Sequence, residues 1–237
     1  MKKWTTKSGY EIVQIMSGRS NVFLLTNGKT NILIDTSVSR LWTKLQKRLS
    51  KLGIRTIDYL ILTHAHFDHA DNANRIKSKF GASVIIHKNE EEYLVKGDSI
   101  TPKGATAITK LVVSAGKGLV SMSLLRYEPC KPDIVTGSCY DLKEMGFDAY
   151  LIHTPGHTRG SASLIVDDEI AIVGDTMFGV FRNSVFPPYA EDVDMMIKSW
   201  GKLLETECIE FLPSHGTSNS RLMVERDYIK RIKKTSI

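Results

Sequence analysis

A chain of 237 residues with 42% hydrophobic and 24% charged residues can bury a full core, which removes any need for disulfides or a structural metal as scaffolding. Its three cysteines, Cys130, Cys139 and Cys208, show no CxxC or CxxxC spacing, which argues against a disulfide framework and a cysteine-based zinc site. The net charge of +6 suits nucleic acid, an anionic surface or an acidic substrate, but much of the excess falls in the amphipathic stretches 44–51 and 226–234, where solvated helix faces account for it.

Lys2 and Lys3 precede no apolar run, and no stretch is long and apolar enough to span a bilayer, so one cytoplasmic domain over 1–237 is expected. Residues 11–16 and 21–26 have strand character, and Thr26-Asn27-Gly28-Lys29 predicts a hairpin into a strand over 31–35. Over 39–52 the period changes: Leu41, Leu45, Leu49 and Leu52 share one helical face, which Gly53 ends. A buried strand over 57–62 runs straight into Thr63-His64-Ala65-His66, and a helix over 70–80 and a strand over 83–87 follow. Residues 88–133 are less regular, with a helical turn at 90–95 and a helical stretch over 106–127 broken by Gly116 and Gly118. They predict an insertion over the sheet, a lid whose Met122, Leu124, Leu125 and Tyr127 either pack into the core or wall a pocket. Strands over 149–154, 161–167 and 169–173, a helix over 193–204, a strand over 209–212 and a helix over 220–233 complete the chain. Strands grouped with interspersed helices predict packed sheets with helices outside.

Seven histidines are present, and three of them crowd with an aspartate into His64-Ala65-His66-Phe67-Asp68-His69. Imidazole and carboxylate together suit zinc, iron or manganese. In a tight loop after a strand, this alternation can point His64 and His66 at one metal and Asp68 and His69 at another. A histidine-rich surface loop is the plain alternative for this motif by itself. Further segments weigh against that alternative. His153-Thr154-Pro155-Gly156-His157 places a turn directly after a strand, Gly174-Asp175-Thr176 ends an apolar strand, and Ser214-His215-Gly216 follows the strand over 209–212. Each puts a ligand-type residue at a strand terminus, where sheet proteins assemble their sites.

The ordered set HxHxDH, HTPGHT, GDT and SHG resembles the metallo-β-lactamase fold superfamily over nearly the whole chain. The resemblance implies an α/β (α+β) fold, an αββα sandwich of two packed mixed β-sheets with helices outside and two metals at one edge. It implies His64, His66 and His157 on one metal, Asp68, His69 and His215 on the other, and Asp175 bridging both. Asp68 would also orient the nucleophile. Asp35 matches the family's early aspartate, as a partner behind a ligand or as an ordinary turn residue. His153 is expected to pack or hydrogen bond rather than ligate, and His87 to be structural.

Two divalent ions, zinc first with iron or manganese admissible, can share a hydroxide and polarise a carbonyl. With no separate serine or cysteine nucleophile motif, attack by that bridging hydroxide is the economical mechanism. The run from Gly174 to Arg182 is most similar to thioesterases of the glyoxalase II type, which favours a small thioester, with Phe178 and Arg182 as candidate substrate contacts. Arg182 would hold a substrate carboxylate or stand free on the surface. Lactone and small phosphodiester hydrolysis are the alternatives, and a mononuclear-iron persulfide dioxygenase is the rival from another reaction class. The expected partner is a small molecule, which the basic balance allows to be anionic; neither nucleic acid nor membrane is expected, and a homodimer is a further option.

Overall fold

Strands that carry apolar residues on both faces make sheets that must be covered on each side. The computed structural model describes residues 1–99, 101, 103–106, 109, 111 and 125–235. The first sheet contains β1 (Lys3–Thr5), β2 (Glu11–Met16), β3 (Val22–Thr26), β4 (Asn31–Ile34), β5 (Tyr59–Ile61), β6 (Ser83–His87) and β7 (Ile134–Thr136), paired in that order. Pairing is antiparallel from β1 to β4 and parallel from β4 to β7. The second sheet contains β8 (Cys139–Asp141), β9 (Ala149–His153), β10 (Ala162–Val166), β11 (Ile170–Gly174), β12 (Glu210–Pro213) and β13 (Asn219–Ser220), in the order β13-β12-β11-β10-β9-β8. It is antiparallel except for the parallel pair β11 and β12.

The period-2 pattern sorts side chains between three cores. Phe23, Leu25, Ile32, Ile34, Ile61 and Ile85 face the second sheet and meet its Leu151, Leu164, Val166 and Ile172. Their neighbours Leu24, Leu33, Leu60 and Val84 point the other way. There they pack against α1 (Trp42–Lys51), α3 (Ala73–Phe80) and α4 (Lys88–Lys96) through Leu45, Leu49, Ala73, Ile76 and Leu94. On the far side, Ile165, Ala171, Val173 and Phe211 are covered by Met196, Trp200 and Leu203 of α5 (Val193–Glu205) and Val224 of α6 (Arg221–Thr235). This is the expected αββα sandwich. Each fully buried Leu or Ile contributes roughly 1.5–3 kcal/mol. Among the described residues no helix is long and apolar enough to cross a membrane.

The expected helix over 70–80 is in fact split. A short α2 (Phe67–Ala70) starts inside the histidine motif, after His66 in an extended conformation, and α3 begins at Ala73 and stops at Gly81 with φ 72°. The strands β1, β7 and β8 have three residues each, too few to show a period in the sequence. Around the expected lid, α4 and residues 125–133 belong to the helix layer. Tyr127 and Cys130 are buried in its core, and the Tyr127 hydroxyl donates to Ala65 O at 3.0 Å. Most of the expected helical stretch over 106–127, including Met122 and Leu124, lies outside the described residues.

Candidate metal centre

The parallel strands of both sheets end at one edge, and the loops leaving them carry the polar residues. Asp35 follows β4, His64 follows β5, His157 lies beyond β9, Asp175 follows β11 and His215 follows β12. Close packing of these loops requires glycine at two points. A Cβ on Gly174, where φ is 55°, would stand 2.8 Å from Thr63 Cβ, and one on Gly156, where φ is 132°, would stand 2.3 Å from Met196 N. Gly174 thus lets the end of β11 lie against the residue before His64, and Gly156 lets the loop before His157 lie on the first turn of α5.

Two groups of ligand-type atoms result: His64, His66, His157 and Asp175 in one, and Asp68, His69 and His215 in the other, with ligand atoms within 4.8 Å of one another in each. His66 Nδ1 lies 2.8 Å from His64 Nε2 and 3.0 Å from His157 Nε2, so three ring nitrogens converge. His215 Nε2 lies 3.9 Å from Asp68 Oδ2, and His69 Nε2 lies 3.8 Å from Asp68 Oδ1. Asp175 faces both groups: Oδ2 is 3.4 Å from His157 Nε2 and 3.2 Å from His215 Nε2, and Oδ1 is 3.6 Å from His69 Nε2. All seven side chains named in the sequence are therefore brought together.

Partners behind the ligands set their orientation. His157 Nδ1 donates to Tyr189 O at 2.9 Å, which leaves the Nε2 lone pair of the neutral ring pointing inward. Asp35 stands 2.8 Å from His69 Nδ1 and accepts from Thr63 N at 2.9 Å, from the Thr63 hydroxyl and from the Ser214 hydroxyl at 3.1 Å. It does so with φ at 60°, an uncommon conformation for a residue other than glycine. Asp35 thus ties β4, the His64 loop and the His215 loop to one ligand. The Phe178 ring lies against that of His215, with centroids 4.6 Å apart. Arg182 is exposed on the turn between Phe181 and Ser184 and pairs with no carboxylate among the described residues. His153 and His87 stack with centroids 4.0 Å apart; His153 Nε2 meets Arg159 O, and His87 caps α4 by accepting from Asn89 N.

Electrostatics separate the two groups. Burial, reinforced by neighbouring imidazoles, holds His64 and His66 well below the ordinary histidine pKa, and burial also lowers His157. Burial likewise acts against the charged form of His69, but the Asp175 and Asp35 carboxylates outweigh it and push that ring up to about 10. For Asp175 burial favours the neutral acid, yet His215, His69 and His157 hold it well below the usual carboxylate range.

Two supporting residues escape the sequence reading. Glu90, fully buried on α4, accepts from Ala65 N at 2.8 Å and Gly160 N at 2.9 Å, and so clamps the His64–His66 loop to the loop after His157. Its sequence signal is faint: it is the first of three successive glutamates, and both it and Glu91 fall on the helical face of Leu94. Arg19, in the turn between β2 and β3, places Nε 3.1 Å from Asp68 Oδ2, and its Ser-Gly-Arg-Ser setting gives no signal at all.

The centre fits divalent metal. His69 Nε2 and Asp175 Oδ1, which face the ligand groups, are buried without a hydrogen-bond partner among the described residues. Leaving such atoms unsatisfied costs about 1–3 kcal/mol each, which a cation among them offsets. The donors are imidazole nitrogens and carboxylate oxygens, the set suited to zinc, iron or manganese.

The αββα sandwich with this histidine–aspartate edge defines a metallohydrolase-type scaffold with a candidate metal centre. Residues 17–227 match the family model of the metallo-beta-lactamase superfamily, and the chain belongs to that family. A probable metallo-hydrolase of Methanocaldococcus jannaschii is 34% identical over 159 residues, covering 67% of this chain and 68% of that protein. A metallo-beta-lactamase fold-containing protein of Sulfurisphaera tokodaii is 27% identical over 227 residues, covering 92% of this chain and 80% of that one. Among solved structures, an archaeal superfamily member from Sulfolobus tokodaii superposes with a TM-score of 0.66 at 23% identity, covering 97% of this chain and 88% of that chain. The native FEZ-1 metallo-beta-lactamase from Legionella gormanii gives 0.62 at 19% identity, covering 96% of this chain and 94% of that one. At these identities, the structural likeness speaks for the fold.

Proposed function

We propose that the chain is a dinuclear metal-dependent hydrolase acting on a small ester-type substrate, a thioester first. The observation that carries the reading is Asp175, whose Oδ2 lies 3.4 Å from His157 Nε2 and 3.2 Å from His215 Nε2, so that one carboxylate serves both ligand groups. Divalent ions, zinc first, held by His64, His66 and His157 and by Asp68, His69 and His215 would supply Lewis acidity toward the scissile carbonyl and an activated water at neutral pH.

The protein's own residues define the rest. Burial keeps His64, His66 and His157 neutral, so these three ligands require no deprotonation near neutral pH. Asp35 fixes the His69 ring by its contact at Nδ1. Burial pushes the Cys130 and Cys208 thiols up to about 11, which removes both as thiolate nucleophiles at neutral pH and favours direct attack by water. Asp175 is held deprotonated and cannot serve as a general acid. A thiolate leaves without strong acid assistance, which favours a thioester over an ester or a lactone.

Elemental mass spectrometry on untagged protein, followed by a panel of thioesters, lactones and phosphodiesters, tests this reading. Close to two zinc or manganese ions per chain with preferred thioester turnover is expected. One iron per chain with oxygen uptake on persulfides would replace it.

A further inference from the structure

Beyond the ligands, the fold sets one cation beside the centre. Arg19 Nε stands 3.1 Å from Asp68 Oδ2, and the Arg19 side chain is 44% exposed against 10% for Asp68. The guanidinium therefore lies between a buried ligand carboxylate and solvent. It rests over the Phe67 ring, 5.0 Å from the centroid, which steadies its plane. Among the described residues, Arg19 is the one Lys or Arg paired with a carboxylate of the ligand set, and its Nη1 and Nη2 make no hydrogen bond to a described residue.

The turn that presents Arg19 is pinned on both sides to the ligand loops. The Ser20 hydroxyl donates to Asp68 O at 2.6 Å. Asn21 N donates to Ser214 O at 2.6 Å, and Asn21 Nδ2 donates to Pro213 O at 2.8 Å and Gly216 O at 3.0 Å. Gln14 Nε2 in turn donates to Asn21 Oδ1 at 2.7 Å. Ser20 and Asn21 are buried while Ser17, Gly18 and Arg19 are exposed, so Arg19 is the charged residue this anchored turn leaves facing outward. The bonds that fasten the turn are made by Ser20 and Asn21, and Arg19 itself contacts the centre through Nε alone among the described residues. A planar guanidinium with free donors matches an oxyanion.

We propose that Arg19 is the specificity-determining residue of this site: its free guanidinium edge binds a carboxylate or phosphate group on the substrate, so that the preferred substrate is an anionic thioester. This rests on the hydrolase reading for its substrate class, and it moves the anion-binding role from Arg182 to Arg19.

The test uses untagged, metal-loaded protein, wild type and Arg19→Gln and Arg19→Lys, with one acyl group carried on three thiols: a carboxylate-bearing thiol, its neutral carboxamide, and a phosphorylated thiol. The anionic-over-neutral preference in kcat/KM is expected to fall about tenfold or more in Arg19→Gln, mainly through KM, with partial recovery in Arg19→Lys. The carboxylate and phosphate arms show which oxyanion is preferred. The same three carriers as non-hydrolysable thioethers, titrated by calorimetry, give the readout independent of turnover, and metal content is measured on every variant. A preference unchanged by substitution, or loss of metal from Arg19→Gln, would overturn the proposal, because Arg19 would then act only through Asp68. Thioether discrimination without thioester turnover would sink the hydrolase reading and leave Arg19 standing. Turnover without discrimination would do the reverse, and wild-type protein that neither binds nor discriminates any carrier overturns the Arg19 assignment.

Discussion

Replacing Glu90 with glutamine or alanine tests whether the two ligand loops are held together through one buried carboxyl group. Glu90 Oε2 accepts from Ala65 N, between the ligands His64 and His66, and Oε1 accepts from Gly160 N, in the loop after His157. Alanine orphans both buried N–H groups at about 1–3 kcal/mol each, so a loss of about 2–6 kcal/mol is expected. Glutamine keeps one acceptor and turns its amide toward the other N–H, so about 1–3 kcal/mol is expected at low pH. Burial pushes the Glu90 carboxyl up to about 7 from 4.5, against the pull of its two backbone donors. The folded chain therefore holds this proton longer than the unfolded chain. The stability from this group is complete below pH 4.5 and is lost as pH rises through about 7. The shift corresponds to roughly 3 kcal/mol at most, so Glu90→Gln should be the weaker protein at pH 4.5 and should draw level with or pass wild type by pH 8. Urea unfolding of chelator-treated proteins at both pH values measures this difference directly. A stability gap that does not change with pH would refute the reasoning. In Glu90→Ala, affinity for metal at the His64, His66 and His157 group should also fall about tenfold or more, as for other partners that orient ligands.

Asp35→Asn removes the charge behind His69 Nδ1 and should weaken metal retention about 10–100-fold in a chelator competition while the chain still folds; unchanged retention would count against its orienting role. Asp68→Asn should fold and retain at most about a hundredth of the wild-type hydrolysis rate, and near wild-type turnover would remove Asp68 from the mechanism. His66→Ala and His215→Ala strike different ligand groups, so each should lower metal content measured by elemental mass spectrometry from about two ions toward one, whereas loss of both ions from either variant would mean a single coupled site.

The candidate ligands stand out in the sequence because most of them end or follow a strand and histidine is scarce in the chain, while Asp68 and His69 fall in the short helix α2. His64 comes directly after Leu62 and Thr63, and Asp175 directly after β11, so residue type and strand periodicity together place them at one edge. Of the residues behind the ligands, Asp35 is named through the family resemblance, while Glu90 and Arg19 are not legible, because partners of such residues lie far along the chain. Glu90 reaches Ala65 and Gly160 across 25 and 70 positions, and Ser214 reaches Asp35 across 179. Local pattern carries no information at such separations. Arg19 shows this most plainly: nothing in its turn distinguishes it from a surface arginine until Ser20 and Asn21 are seen fastened to the loops of Asp68 and His215.

That division has an energetic consequence. The three cores are built from apolar strand and helix residues, and none of Asp35, Glu90 or Arg19 belongs to them. The apolar packing of the sandwich therefore does not run through these residues, while the placement of the candidate ligands depends on a few polar contacts between loops of both sheets. Substitutions at Asp35 and at Arg19 should separate these two properties, changing metal affinity in the first case and substrate choice in the second before they change folding. Glu90 joins both properties, because the hydrogen bonds that set the spacing of the ligand loops also satisfy N–H groups that water cannot reach.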